Sequence, residues 1–131
     1  MVEIHAYSKA KDGSKKLSGN FEVSEFACRD GSDAVLVAPR LVMVLQSIRS
    51  HFGVPVVIHS AYRTPQYNTK VDGVTDSQHC YGTAADITVR GQKPVDVAAY
   101  ARKIMPDWGG VGIYGSFCHI DVRETKADWT G

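Results

Sequence analysis

The chain has 131 residues, of which 44% are hydrophobic and 22% charged, enough apolar material for the core of one domain. Its formal net charge of +1 gives no electrostatic reason to bind nucleic acid or an anionic membrane. No stretch approaches the roughly 20 apolar residues of a membrane span, and the N-terminus lacks the apolar segment of a signal peptide. We therefore expect a single domain over residues 1–131 with no nucleic-acid partner and no membrane insertion, which is either made in the cytoplasm or is a mature or excised domain. We also expect it to be a monomer.

The first half of the chain predicts one long helix and one strand. Residues 1–20 are polar and weakly patterned, and we expect them to form a polar N-terminal arm. A proline at the first helical position and a glycine at the end predict a helix over residues 39–52. Apolar residues recur along one face of it: Leu41, Leu45, Ile48 and Phe52. The β-branched run that follows predicts a buried strand over residues 54–60.

The second half predicts a long loop followed by strands and a second helix. Residues 61–83 are rich in Gly, Asn, Asp and Thr, and an irregular segment of that length in a compact domain is often functional. A strand is predicted over residues 84–89 and a helix over residues 94–105. Two short strands, over residues 111–114 and 117–123, are joined by a Gly-Ser pair typical of a hairpin turn. The pattern predicts an α+β domain, in which two main helices pack on one side of a small, mainly antiparallel sheet.

Three residues of the second half are of the types that bind catalytic zinc. On one helix, His79 and Asp86 would lie about 10 Å apart along the axis, too far for one ion. The segment must therefore fold back, and Gly82 between them permits a positive φ. His119 lies in the last predicted strand. Taken singly, each residue has an ordinary structural explanation, but together they predict one zinc ion with an open fourth position, the pattern of a catalytic site.

Three sequence motifs occur along the chain in a fixed order. Ser77-x-His79-x-x-Gly82-x-Ala84-x-Asp86 resembles the first metal motif of the M15 zinc peptidase family. The segment Ser60-Ala61-Tyr62-Arg63-Thr64-Pro65-x-x-Asn68 is similar to its arginine segment. The second metal motif is matched by Gly109-Gly110-Val111-Gly112-x-Tyr114 and His119-Ile120-Asp121. The resemblance spans roughly residues 20–123, is closest to the short single-domain branch, and implies the zinc fold that these peptidases share with the hedgehog signalling domain.

The resemblance implies a role for each matched position. The positions matched to the zinc ligands are His79, Asp86 and His119. Arg63 would bind a substrate carboxylate or carbonyl, for which its planar guanidinium is suited. Ser77 and Gln78 would donate hydrogen bonds to the substrate or orient the loop. The family implies hydrolysis of a peptide bond in peptidoglycan stem peptides, by a D-alanyl-D-alanine carboxypeptidase or an endopeptidase, and the small size suits a phage or prophage lysis enzyme that acts on the cell wall.

The general base is the point at which the chain departs from the family. Many M15 enzymes carry Glu or His three residues before the last ligand, whereas this chain has Ser116, which cannot serve as a base at neutral pH. Asp121 is the best replacement because it shares a strand face with His119. Arg123 lies on the same face, however, and pairing with it would lower the pKa of Asp121, which would then orient a ligand instead. Both roles stay open, and a zinc-containing cell-wall binding module that has lost catalysis is the alternative to an enzyme.

Overall fold

The computed structural model describes residues 1–131, and strands and helices are interspersed along them. The strands are β1 (His5–Ser8), β2 (Lys16–Ser18), β3 (Phe21–Glu22), β4 (Ala34–Val37), β5 (Val56–Ser60), β6 (Ala84–Val89), β7 (Gly110–Ile113), β8 (Cys118–Asp121) and β9 (Ala127–Thr130). The helices are α1 (Lys9–Asp12), α2 (Pro39–Phe52), α3 (Pro65–Lys70) and α4 (Pro94–Ile104), with two 3₁₀ turns at Val23–Phe26 and Gln78–Tyr81. None of these helices has the length and hydropathy needed to cross a lipid bilayer.

The main sheet has five strands in the order β5-β6-β8-β7-β9. All neighbours in it are antiparallel except β7 and β9, which run parallel. Two further sheets of two strands each pair β1 with β4 and β2 with β3. The predicted α+β class with a small, mainly antiparallel sheet is confirmed.

Helices α2 and α4 pack on each other and on the main sheet, where their apolar residues meet those of the strands in one core. Helix α2 has the predicted bounds, because Pro39 occupies its first turn and Gly53 ends it at φ +67°. Of the predicted inner residues, Leu41, Leu45 and Ile48 are fully buried. Phe52, at the end of the helix, is half-buried and packs against the core. In the sheet, Ile87 and Ile120 are also buried in this core, so the residues that alternate with them point to the other face.

Several short elements differ from the sequence-based expectation. Residues 1–20, expected to form a polar arm, contain β1, α1 and β2, and Tyr7 and Leu17 pack against the core. The long loop predicted over residues 61–83 contains α3 and the second 3₁₀ turn. Strands β4 and β9 were also not predicted: both are only four residues long, and no turn motif beside them marks a hairpin, as the Gly-Ser pair does between β7 and β8.

Candidate metal centre

The strand register of the main sheet places the predicted site residues on one face, in two adjacent rows that run across the strands. Asp86 on β6 lies opposite His119 on β8, and His119 lies opposite Gly112 on β7. In the next row on the same face, Asp121 lies opposite Gly110. Because side chains alternate across each strand, these residues all point away from the helices. The sheet therefore presents two acids and one histidine on a rigid floor.

His79 reaches this floor from the 3₁₀ turn at Gln78–Tyr81. Ser77 caps the turn by accepting the His79 backbone N–H at 3.2 Å, and Gly82 ends it with φ +75°. Gly82 is also held close to another strand, since a Cβ there would lie 2.6 Å from the carbonyl carbon of Leu36. The His79 Nδ1 atom lies 2.7 Å from the Ala61 carbonyl oxygen, which can only accept. The proton is thus on Nδ1, and Nε2 is left free to bind a metal.

The three predicted ligands converge, and their ligand atoms all lie within 4.8 Å of one another. Nε2 of His79 is 3.3 Å from Oδ2 of Asp86, and Nδ1 of His119 is 2.9 Å from Oδ1 of the same carboxylate. All three side chains are largely buried, but each also lines an open cleft. Two imidazoles and one carboxylate, with the fourth direction open, fit the donor set of a catalytic zinc ion.

His119 is held between two carboxylates. On the side away from Asp86, its Nε2 lies 2.8 Å from Oδ2 of Asp121. Burial disfavours the charged imidazolium, but the hydrogen bonds to Asp121 and Asp86 outweigh it and raise the pKa of His119. Burial likewise opposes the charge of Asp86, yet the hydrogen bonds from His119 and His79 lower the pKa of that carboxyl well below its usual range. Opposite charges on His119 and its two flanking carboxylates therefore stabilise each other.

Asp121 is fully buried, and both of its oxygens are engaged. Arg123 donates to it from Nε at 2.8 Å, from Nη2 at 2.7 Å and from the backbone N–H at 3.1 Å. Burial raises the pKa of Asp121, but these bonds from Arg123 and the one from His119 lower it well below the usual range. Asp121 thus contacts His119 on the side opposite to the ligand cluster. Ser116, in the position of the usual base, is exposed on the hairpin turn.

The residues expected to contact substrate surround the same site. Nε of Arg63 donates to Ser60 Oγ at 3.1 Å and Nη1 donates to Asn68 Oδ1 at 3.2 Å, while Nη2 lies 3.6 Å from Asp86 Oδ2. Gln78 Oε1 accepts a hydrogen bond from Thr83 Oγ1 at 2.8 Å. Arg63, Ser77 and Gln78 all line the cleft that contains the ligand cluster.

This cleft has a volume of about 350 Å³. It is lined by charged and polar residues, by part of the loop after α3 and by three aromatic rings: Arg63, Val71, Asp72, Gly73, Val74, Ser77, Gln78, His79, Asp86, Tyr114, Phe117, His119, Arg123 and Trp129. Sequence reasoning missed Trp129, because it lies on the unpredicted strand β9 and belongs to no motif. It also passed over Asp72, which lies in the loop after α3 with φ +57°.

A His-Asp-His donor set at the floor of an open cleft fits the arrangement found in metal-dependent hydrolases with three protein ligands. The family model described as Peptidase M15 matches residues 19–121, and the chain belongs to this family, whose members are zinc-dependent peptidases. The matched span contains the three candidate ligands and Arg63 but ends before β9. A search of curated proteins found no match for the chain. Membership confirms the resemblance seen in the three motifs.

Proposed function

We propose that the chain is a zinc peptidase that hydrolyses a peptide bond in peptidoglycan stem peptides, as a D-alanyl-D-alanine carboxypeptidase or an endopeptidase. The observation that supports it most is the convergence of His79, Asp86 and His119 at the floor of an open cleft. When bound by these side chains, one zinc ion would polarise the scissile carbonyl and lower the pKa of a coordinated water. The family match supports peptide bonds as the substrate class.

We propose that Asp121 acts on the reaction through His119. Its carboxylate accepts the Nε2–H, which leaves Nδ1 of His119 as the nitrogen that faces Asp86 and the metal position. Carboxylates that accept the second ring N–H of a histidine ligand fix its tautomer and orientation. With all of its contacts inside the protein and no exposed surface, Asp121 has no path to substrate or to a water in the cleft. This favours the orienting role over that of general base.

The substrate would be held by groups on the opposite side of the cleft. Arg63 is fixed by Ser60 and Asn68, and its guanidinium is suited to a carboxylate or carbonyl of the peptide. The amide nitrogen of Gln78 has no acceptor within the protein and is placed to donate to a peptide carbonyl. The Ser77 hydroxyl oxygen accepts the backbone N–H of His79, so its first role is to orient the loop.

The decisive experiment is mass spectrometry of purified peptidoglycan incubated with the zinc-loaded chain. We expect new fragments whose masses identify the bond that is cut, and their loss in a chelator-treated sample and in the variant His79→Ala. The variant His59→Ala is a matched control, because His59 is exposed on β5 and bonds Thr88 outside the cleft. Absence of fragments from protein that holds one zinc ion per chain would refute the proposal.

The setting we propose is the cell wall, reached by a monomer during lysis by a phage or prophage. The test is the turbidity of a bacterial suspension to which the zinc-loaded chain is added from outside, with and without permeabilisation of the outer layers. Clearing of the suspension supports lysis. Cutting of isolated peptidoglycan without clearing of cells under either condition would refute a lysis role and leave the hydrolysis intact.

The second candidate is a zinc-containing module that binds the cell wall without cutting it. Two observations favour it: Ser116 stands where the usual base is expected, and Asp121 is fully engaged by His119 and Arg123. Co-sedimentation with peptidoglycan that depends on zinc, in a sample that yields no fragments, would support this function over hydrolysis.

A further inference from the structure

Strand β9 brings a tryptophan into the row of the metal centre. The parallel pairing of β7 with β9 places Trp129 opposite Gly112, which itself lies opposite His119. Trp129 therefore lies on the same face of the sheet as His119, two strands away. The span that matches the peptidase family ends at residue 121, so the family match makes no statement about this residue.

Gly112 makes the approach of the indole possible. A Cβ atom at this position would lie 2.5 Å from Cε2 of Trp129, far inside van der Waals contact. With no side chain in the way, the indole lies across β7, and its ring centre is 5.1 Å from that of His119. Arg123 covers the indole with its guanidinium carbon 5.4 Å from the ring centre. The indole is thereby held between a candidate metal ligand and the rim of the cleft.

Two aromatic rings of the β7–β8 hairpin lie next to the Trp129 indole. The Trp129 Nε1–H donates to Tyr114 Oη at 2.9 Å, and Tyr114 stacks on Phe117 with ring centres 4.5 Å apart and planes within 6°. All three rings line the cleft and are only partly buried. The Tyr114 hydroxyl accepts from Trp129, while its own hydrogen has no acceptor in the protein. These three rings thus combine an apolar surface with one hydrogen-bond donor, the Tyr114 hydroxyl.

We propose that Trp129, Tyr114 and Phe117 form a substrate subsite for the part of the peptide next to the scissile bond. This inference rests on the proposed peptidase function. The rings take an uncharged, apolar side chain of the peptide, because contact with their faces removes apolar surface of both partners from water. The Tyr114 hydroxyl donates to a peptide carbonyl oxygen. The subsite lies across the metal centre from Arg63, so a bound peptide would be held on both sides of the reacting carbonyl.

The first test is nuclear magnetic resonance of the indole N–H groups, because the chain has only two tryptophans. The zinc-loaded chain is titrated with stem-peptide fragments released from purified peptidoglycan, and the variant Trp129→Phe assigns the signals. We expect the Trp129 signal to shift in a saturable manner. The Trp108 signal should stay in place, because Trp108 packs beside Arg40 outside the cleft.

The second test compares the kinetics of two variants that each lose one hydroxyl. Tyr114→Phe keeps the ring but loses the hydrogen bond to substrate, and we expect KM to rise about three- to tenfold. Zinc affinity should be unchanged. Tyr100→Phe is the matched control, because the Tyr100 hydroxyl bonds Ser47 between the two helices, and its KM should be that of the unmodified chain.

The outcomes separate the subsite from the proposed function. Fragments that are cut while the Trp129 signal stays in place, with an unchanged KM for Tyr114→Phe, would overturn the subsite and leave the peptidase. Fragments that are neither cut nor bound would overturn both. A saturable shift of Trp129 together with the raised KM supports the subsite, and the same shift without cutting supports it as part of a binding module.

Discussion

Replacement of Asp121 by asparagine separates its two possible roles. Asparagine has the same shape but turns one acceptor oxygen into an NH₂ donor. That donor must face either the Nε2–H of His119, now 2.8 Å from the carboxylate, or the guanidinium of Arg123, now 2.7–2.8 Å away. Either arrangement loses a charge-assisted bond at a site with no access to water. The imidazole is then free to change tautomer or to rotate.

The expected loss is one of zinc affinity. Mutation of groups that orient a metal ligand costs about 10- to 100-fold in affinity, which corresponds to about 1.4–2.7 kcal/mol of binding free energy. The assay is competition for Zn²⁺ against a chelator of known affinity, followed by kcat at saturating zinc. Asp72→Asn is the comparison, because Asp72 lines the cleft, is exposed and makes no side-chain hydrogen bond. The zinc affinity of Asp72→Asn should be unchanged. A fall in its kcat together with loss of the acidic limb of the pH–rate profile would identify Asp72 as a proton acceptor.

One result would refute the orienting role of Asp121. If Asp121→Asn binds zinc within about twofold of the unmodified chain while kcat falls by more than about 100-fold, Asp121 acts on the reaction itself. The orienting role would then be wrong, and the carboxylate would be the general base despite its burial.

Three further predictions concern stability, pH and substrate binding. Gly110→Ala would place a Cβ 2.7 Å from Cγ of the buried Asp121, so denaturant unfolding should show a loss of about 1–3 kcal/mol, whereas Gly115→Ala, with open space around it, should be neutral. The raised pKa of His119 means that its protonation stabilises the metal-free fold below the ordinary value of 6.5. This stability is lost as pH rises through the pKa of His119 in the folded protein, and zinc affinity should rise over the same range. A free energy of unfolding that does not change with pH would contradict this prediction. Arg63→Lys should raise KM by about 10-fold or more with unchanged zinc affinity, because lysine lacks the planar guanidinium that can bind a carboxylate through two nitrogens. An unchanged KM would exclude a contact between Arg63 and the substrate.

Sequence reasoning correctly predicted features that depend on local backbone geometry. Pro39 and Gly53 mark the two ends of α2, and both bounds agree with the structure. The approach of His79 to Asp86 could be predicted because two residues seven positions apart can share an ion only if the segment folds back, which the turn ending at Gly82 accomplishes. These inferences needed only the spacing and the geometry of the chain.

Sequence reasoning could not predict features that depend on the orientation of a side chain or on the register between distant strands. Alternation placed Asp121 and His119 on one face, but it could not tell whether the carboxylate turns toward the cleft or is enclosed by Arg123. The short strand β9 gave no periodic signal, so Trp129 could not be placed beside His119. The close packing over Gly110 and Gly112 likewise exists only once β7 lies between its two neighbours.

The position of the candidate ligands within the sheet affects which parts of the sequence can change without loss of the metal centre. Asp86 and His119 lie on β6 and β8, each of which is paired on both sides, and their backbones should open only with the whole fold. The cleft rim is different, because the loop after α3 and the edge strand β9 have solvent on at least one side. Amide hydrogens should therefore exchange slowly under the metal centre and quickly around it. The chemistry and the choice of substrate are thus carried by parts of the molecule with different local stability, and the rim can diversify without loosening the ligands.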